Sequence, residues 1–170
     1  MFSFPNPVNE ISARLVAAGV LVMGVLAVVF DWRWLAVVLA YGFLARVLTG
    51  PTLSPLGQVV TRVIVPRLPV PAKPVPGPPK RFAQGMGLAF TATALGLTLA
   101  GAGVAARVVY AALILAAFLE SVFALCLGCK VFALLMRVGV IPDQVCAECN
   151  DIWSRRGESP PVRASEPTAA

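Results

Sequence analysis

Histidine is absent from this chain. Its absence removes the commonest general base and metal ligand near neutral pH, so any bound metal would rest on thiolates or carboxylates. Charge is scarce too: only 13% of residues are Asp, Glu, Lys or Arg, and just 8 are acids. With 58% hydrophobic residues and a mean hydropathy of +0.83, that scarcity excludes an ordinary soluble domain and points to an integral membrane protein. No cleavable leader is expected either. The first apolar run follows MFSFPNPVNEISAR, which holds Glu10 and a single basic residue, and no small-residue cleavage site ends it, so it is expected to remain as a span. In such a chain the net charge of +6 reports topology and contact with anionic lipid, and nucleic acid is not an expected partner.

Four runs are long enough to cross a hydrocarbon core of about 30 Å. They cover residues 13–30, 34–48, 82–102 and 105–125. Short turns join the first to the second, through Asp31, Trp32, Arg33 and Trp34, and the third to the fourth, around Gly101 and Gly103. The expected fold is therefore an all-α membrane protein of four transmembrane helices arranged as two hairpins in one domain, residues 1–153. The middle connection, residues 49–81, carries Arg62, Arg67, Lys73, Lys80 and Arg81, with Arg46 just before it, and no acid. By the positive-inside bias it is cytoplasmic, and so are both termini. Within it, Leu56, Val59, Val60, Val63 and Ile64 recur at helical spacing behind Ser54 and Pro55, which predicts an amphipathic helix lying in the membrane interface. The stretch PRLPVPAKPVPGPPK that follows predicts an extended strap. Residues 154–170, SRRGESPPVRASEPTAA, have the low hydrophobicity of a disordered tail.

Glu120 falls inside the fourth predicted span, where a carboxylate costs a few kcal/mol unless it faces protein or water. Ala112, Ala116, Ala124 and Gly128 flank it at intervals of four, a stripe that lets another helix come close, and Ala92, Gly96 and Ala100 offer a partner stripe on the third span. Counted from the outer turns, Arg46 lies at a similar depth and is the expected counter-charge.

The only cysteines form two pairs, Cys126 and Cys129 in CLGCK and Cys146 and Cys149 in CAECN. Two such pairs in one short segment, residues 126–153, argue against inert buried thiols. Their spacing suits a structural zinc site of four thiolates, which would make the chain a non-enzymatic scaffold or accessory subunit. Each CxxC can equally cycle between dithiol and disulfide, with Glu120 as a proton acceptor, because residues three apart on a helix are neighbours. On a helix running on from the fourth span, Cys126 and Cys129 sit at a C-terminal end, where the dipole disfavours thiolate and only Lys130 opposes it. Cys146, following Pro142 and Asp143, sits near a helix start and is then the expected nucleophile.

YGFLARVLTGPTLSPLG, KRFAQG and above all LESVFALCLGCKVFALLMRVGVIP resemble a bacterial integral-membrane family, domain of unknown function 4395, in its actinobacterial branch. The resemblance runs from Pro5 to Trp153. It implies four spans in the bacterial plasma membrane with a CxGC at the end of the last, here Cys126, Gly128 and Cys129. It also implies association with thioredoxin-like or rhodanese-like proteins, hence thiol–disulfide or sulfane-sulfur transfer at the cytoplasmic face. Cys146 and Cys149 belong to this branch and not to shorter relatives, so one pair is enough for a shared function. The expected partners are the lipid bilayer, such a thiol protein and a second copy of the chain.

Overall fold

The structure, a computed structural model, describes residues 4–142 and 145–146. Helix α1 spans Glu10–Val29. It starts on Asn9, whose side-chain oxygen accepts the Ile11 N–H at 3.1 Å and so satisfies an otherwise orphaned donor. Phe30, Trp32 and Trp34 stack in a row at its far end, with ring centroids 5.1 and 6.0 Å apart. Helix α2 follows as Arg33–Thr49.

Ser54 caps α3, Pro55–Val59, accepting the Gly57 N–H at 3.2 Å. This cap and the proline behind it are where the sequence places them. The single amphipathic helix expected beyond them is not formed, because the chain widens into a π turn over Val60–Ile64 and then tightens into a 3-10 turn over Val65–Arg67. Pro66 has no N–H to continue an α ladder. The change of register splits the apolar row: Val60 is buried and Leu56 covers Gly19, while Val59, Val63 and Ile64 are exposed. The proline strap that follows is extended, and its Pro74–Val75 (β2) pairs antiparallel with Val8–Asn9 (β1), Val75 opposite Val8.

Helix α4, Gly77–Leu99, begins five residues ahead of the expected Phe82. Prolines in its first turn forfeit no hydrogen bond, since those N–H groups lack a helical partner in any case. The consequence for function is that Lys80 belongs to α4 and not to a loop. Helix α5 runs over Gly103–Phe123 and helix α6 over Leu127–Arg137.

The four long helices close a ring, with α1 along α5, α5 along α4, α4 along α2 and α2 along α1, and α6 lies against α4. Val20, Ala36, Leu39, Phe43, Ala94, Tyr110, Leu113 and Ala117 fill the centre. Phe43 reaches onto Gly87, where any side chain would collide with its ring. That contact decides the face on which α4 packs. Gly87, Thr91 and Ala94 point inward, whereas Ala92, Gly96 and Ala100, the expected partner stripe, are exposed. Outward positions are also apolar, among them Val22, Val29, Val37, Val108, Phe118 and Val122, a surface suited to hydrocarbon.

Three helices, α1, α4 and α5, are long and apolar enough to cross a membrane. Helix α2, at 17 residues, rises about 25 Å at 1.5 Å per residue. It falls short of the length met by the other three.

Candidate functional site

The site is made by a helix break. Helix α5 stops at Phe123 because Ala124 turns left-handed, at φ 55°, and returns its N–H to the Leu119 carbonyl. Arg14 of α1 takes over the carbonyls left open there, donating from Nε and Nη2 to Ser121 O at 3.2 and 3.1 Å, and from Nη2 to Val122 O at 3.1 Å. Helix C-termini need such donors. Beyond the break Cys126 is extended and is the N-cap of α6, its sulfur accepting the Cys129 N–H at 3.3 Å.

The first pair does follow the C-terminus of α5, but it also opens α6, which reverses the expected sign of the helix field on it. Cys126 instead faces the positive end of α6, the setting that favours a thiolate. The two thiols are unequal. A hydrogen bond from the Cys129 thiol, helped by Lys80 and the Cys129 backbone N–H, holds the Cys126 thiol below its ordinary range against burial and the charge of Glu120. Cys129 is pushed well above the ordinary thiol range, first by the hydrogen bond it gives to Cys126 and then by burial. Of this pair Cys126 is the readier thiolate, while Cys146, the expected nucleophile, is disulfide-bonded in the structure.

The break also brings Glu120 to the pair. On a continuous helix Glu120 and Cys126 would point about 120° apart, but here both line one cavity of about 420 Å³, together with Gln84, Gly128 and Lys130. Its deeper wall is apolar, from Val16, Phe90 and Leu113. Gly128 is what admits α6 to this position. A Cβ on it would lie 2.5 Å from the Ala83 Cβ, far inside contact distance, so only glycine permits the approach.

The counter-charge of Glu120 is Lys80. Its Nζ donates to Glu120 Oε1 at 2.6 Å, with the two side chains 10% and 17% exposed. The expected Arg46–Glu120 pair is not made. Arg46 donates from Nε to Gln84 Oε1 at 2.8 Å and from Nη1 to Ser54 Oγ at 3.1 Å, and stacks over Phe43 at 4.6 Å. Depth counted along the chain could not give the direction of Arg46, which the Phe43 ring and Ser54 set. Lys80 and Arg14 were missed in the sequence. Proline as a helix-start signal at Pro78 and Pro79 would have placed Lys80 in the first turn of α4, whereas nothing local marks Arg14 as the cap of a helix over a hundred residues away.

Cys146 is buried beside Phe132 and Met136, with Phe82 and Ile141 around it, and is disulfide-bonded. Cys149, Asp143 and the tail at residues 154–170 lie outside the described residues. Among the described residues no group of three or more His, Cys, Asp or Glu side chains could hold a metal ion.

A model of the family described as Domain of unknown function (DUF4395) matches residues 8–137. No curated protein and no solved structure matches.

Proposed function

We propose, for a chain that belongs to the DUF4395 family, a membrane dithiol that exchanges with the disulfide of a soluble thiol protein, Cys126 being the attacking sulfur. The observation that carries this is the Cys126 sulfur capping α6 with the Cys129 N–H on it at 3.3 Å. A thiolate is the nucleophile in disulfide exchange, and a helix N-terminus beside a lysine is where thiolates form at neutral pH.

The exchange has two steps. The Cys126 thiolate attacks one sulfur of the partner's disulfide, a bond forms between the proteins, and the partner's other sulfur leaves as thiolate. Cys129 then loses its proton and attacks Cys126, closing the intramolecular disulfide and releasing the partner as a dithiol. Both electrons pass to the partner. Glu120, whose charge is felt by both sulfurs, is the proton acceptor for Cys129 in the second step, and Lys80 holds that carboxylate beside them.

In this reading the chain crosses the bacterial plasma membrane four times. Helix α2 counts as a span because it packs along α4 and α1 and 17 residues is at the lower limit for crossing. Arg62, Arg67, Lys73 and Arg81 put the middle connection, and with it the thiol pair, on the cytoplasmic side. Partner presentation in a reducing compartment suits a transient dithiol cycle.

The test is thiol trapping. Cys129→Ser lacks the resolving sulfur and should accumulate a mixed disulfide through Cys126 when offered an oxidised thioredoxin-like protein, and Cys126→Ser should accumulate none. Offered a persulfidated rhodanese-like protein instead, Cys126 would take the outer sulfur and release the donor's thiolate, and a one-sulfur adduct on Cys126 with no mixed disulfide in the first experiment would identify sulfane-sulfur transfer. Failure of Cys126 to form either product would sink the thiol reading.

A further inference from the structure

A second cavity, of about 200 Å³, lies apart from the sulfurs, between the start of α1, the end of α2 and the strand-paired N-terminal segment. Its polar lining is Arg46, Lys80, Gln84, Asn9, Ser12 and Thr61, and it contains no acid. Lys80 is already neutralised by Glu120 at 2.6 Å, and Glu120 lines the other cavity. Arg46 is different. Only 5% of it is exposed, its Nε and Nη1 are taken up by Gln84 and Ser54, and its buried Nη2 has no hydrogen-bond partner.

An unsatisfied guanidinium nitrogen at this depth is costly, because a buried charge needs both a counter-charge and hydrogen bonds. Glu120 acts on Arg46 from a distance, but among the described residues no carboxylate pairs with it. The cavity also meets the first turn of α1 at Asn9, Ser12 and Ala13, at the positive end of a 20-residue helix, although the Glu10 and Ile11 N–H groups of that turn are already taken by Lys73 O and Asn9 Oδ1. The one acid in that turn, Glu10, is drawn off by Lys73 at 2.8 Å.

We infer that this cavity is a binding site for an oxyanion of the phosphate or sulfate class, held by Arg46 Nη2. Arginine recognises such anions through its planar fork, and the N–H pair it leaves unused here is the half that an oxygen would take. The volume equals several waters at about 30 Å³ each, so a tetrahedral anion fits and a large cofactor does not. The same chemistry is carried by free phosphate and by the phosphate of an anionic lipid. Gly50, Pro51 and Thr61, which also line the cavity, belong to the connection between helices and not to the bundle centre.

Thermal unfolding of the full chain in nanodiscs separates the two sources. In phosphatidylcholine discs, inorganic phosphate should raise Tm saturably over chloride at equal ionic strength, which identifies a free anion, since a ligand bound only by the folded state stabilises it. A rise seen only on replacing phosphatidylcholine with phosphatidylglycerol identifies the lipid phosphate. In either arm Arg46→Gln should weaken the effect at least ten-fold, while Arg62→Gln, an exposed cation nearby, should retain it. Should Arg46→Gln fail to fold, Thr61→Phe, which fills the cavity and leaves Arg46 intact, decides the matter by abolishing the effect. No rise with either probe, or equal rises in all variants, overturns the site. None of these readouts depends on Cys126, so the outcome is independent of the thiol reading.

Discussion

Two sulfurs three residues apart need not behave alike, and at the residue scale the helix cap makes Cys126 and Cys129 different. The Cys126 thiol lies below its ordinary range and the Cys129 thiol above it. A depressed thiol pKa leaves more thiolate at neutral pH, so reactivity at Cys126 persists as pH falls below the usual thiol range and is lost only on passing its own lowered value. In Cys129→Ser a hydroxyl replaces the thiol that donates to Cys126, so that variant does not report the native pair. The comparison is therefore best made in the reduced wild-type chain. Iodoacetamide followed by peptide mass mapping should modify Cys126 about ten-fold faster than Cys129 at pH 7, and the ratio should shrink as pH rises. A second prediction concerns the ion pair. Lys80→Met leaves Glu120 buried without its partner and should cost about 3–5 kcal/mol, much of it recovered in Lys80→Met with Glu120→Leu, because a buried pair can often be exchanged for apolar side chains. Chemical denaturation of the purified variants checks both.

At the element scale the decisive feature is the break between α5 and α6. Ala124 is left-handed at φ 55°, a conformation costing a non-glycine residue roughly 1–2 kcal/mol. Ala124→Gly should therefore stabilise the protein by about 1 kcal/mol. Were the helix continuous, the same substitution would destabilise it by a similar amount, about 0.5–1 kcal/mol. The sign of the Tm shift decides. Gly128→Val tests the seat of α6 on α4: with Ala83 Cβ 2.5 Å from any Cβ, overpacking should cost about 1–3 kcal/mol and expose Cys129 to faster alkylation. The run LESVFALCLGC gives no proline and no polar cluster to announce this break, and its one glycine, Gly128, lies inside α6 and not at the break. The left-handed residue is an alanine, whose conformation is imposed by Arg14 and by the burial of α6 and not by its own preference.

At the scale of the whole molecule, three helices have the length and apolarity of spans and a fourth, α2, packs among them at 17 residues. Four crossings and three predict different sidedness for the residues between α1 and α2. Single cysteines placed at Asp31 and at Gly103, in a chain otherwise without reactive thiols, should both be labelled by a membrane-impermeant maleimide from outside intact cells. Labelling of Gly103→Cys alone would mean that α2 does not cross. Helices α1 and α2 are neighbours in the ring, as are α4 and α5, but α1 also packs on α5 and α2 on α4. Hydrophobic runs mark how long each helix is, and they carry no information on which faces meet.

The sequence by itself determined the apolar, helical character of the chain, the helix start at Ser54, and the CxxC spacing of Cys126 and Cys129. These depend on composition, on local capping and on spacing, all of which act within a few residues. Only the tertiary structure decided that Lys80 and not Arg46 neutralises Glu120, that Arg14 caps α5, and that Cys126 begins a helix as well as following one. Each of those depends on a contact between distant segments, where the direction of a side chain matters as much as its depth. The sign of the helix field on Cys126 follows from such contacts, and with it the choice of Cys126 as the proposed attacking sulfur.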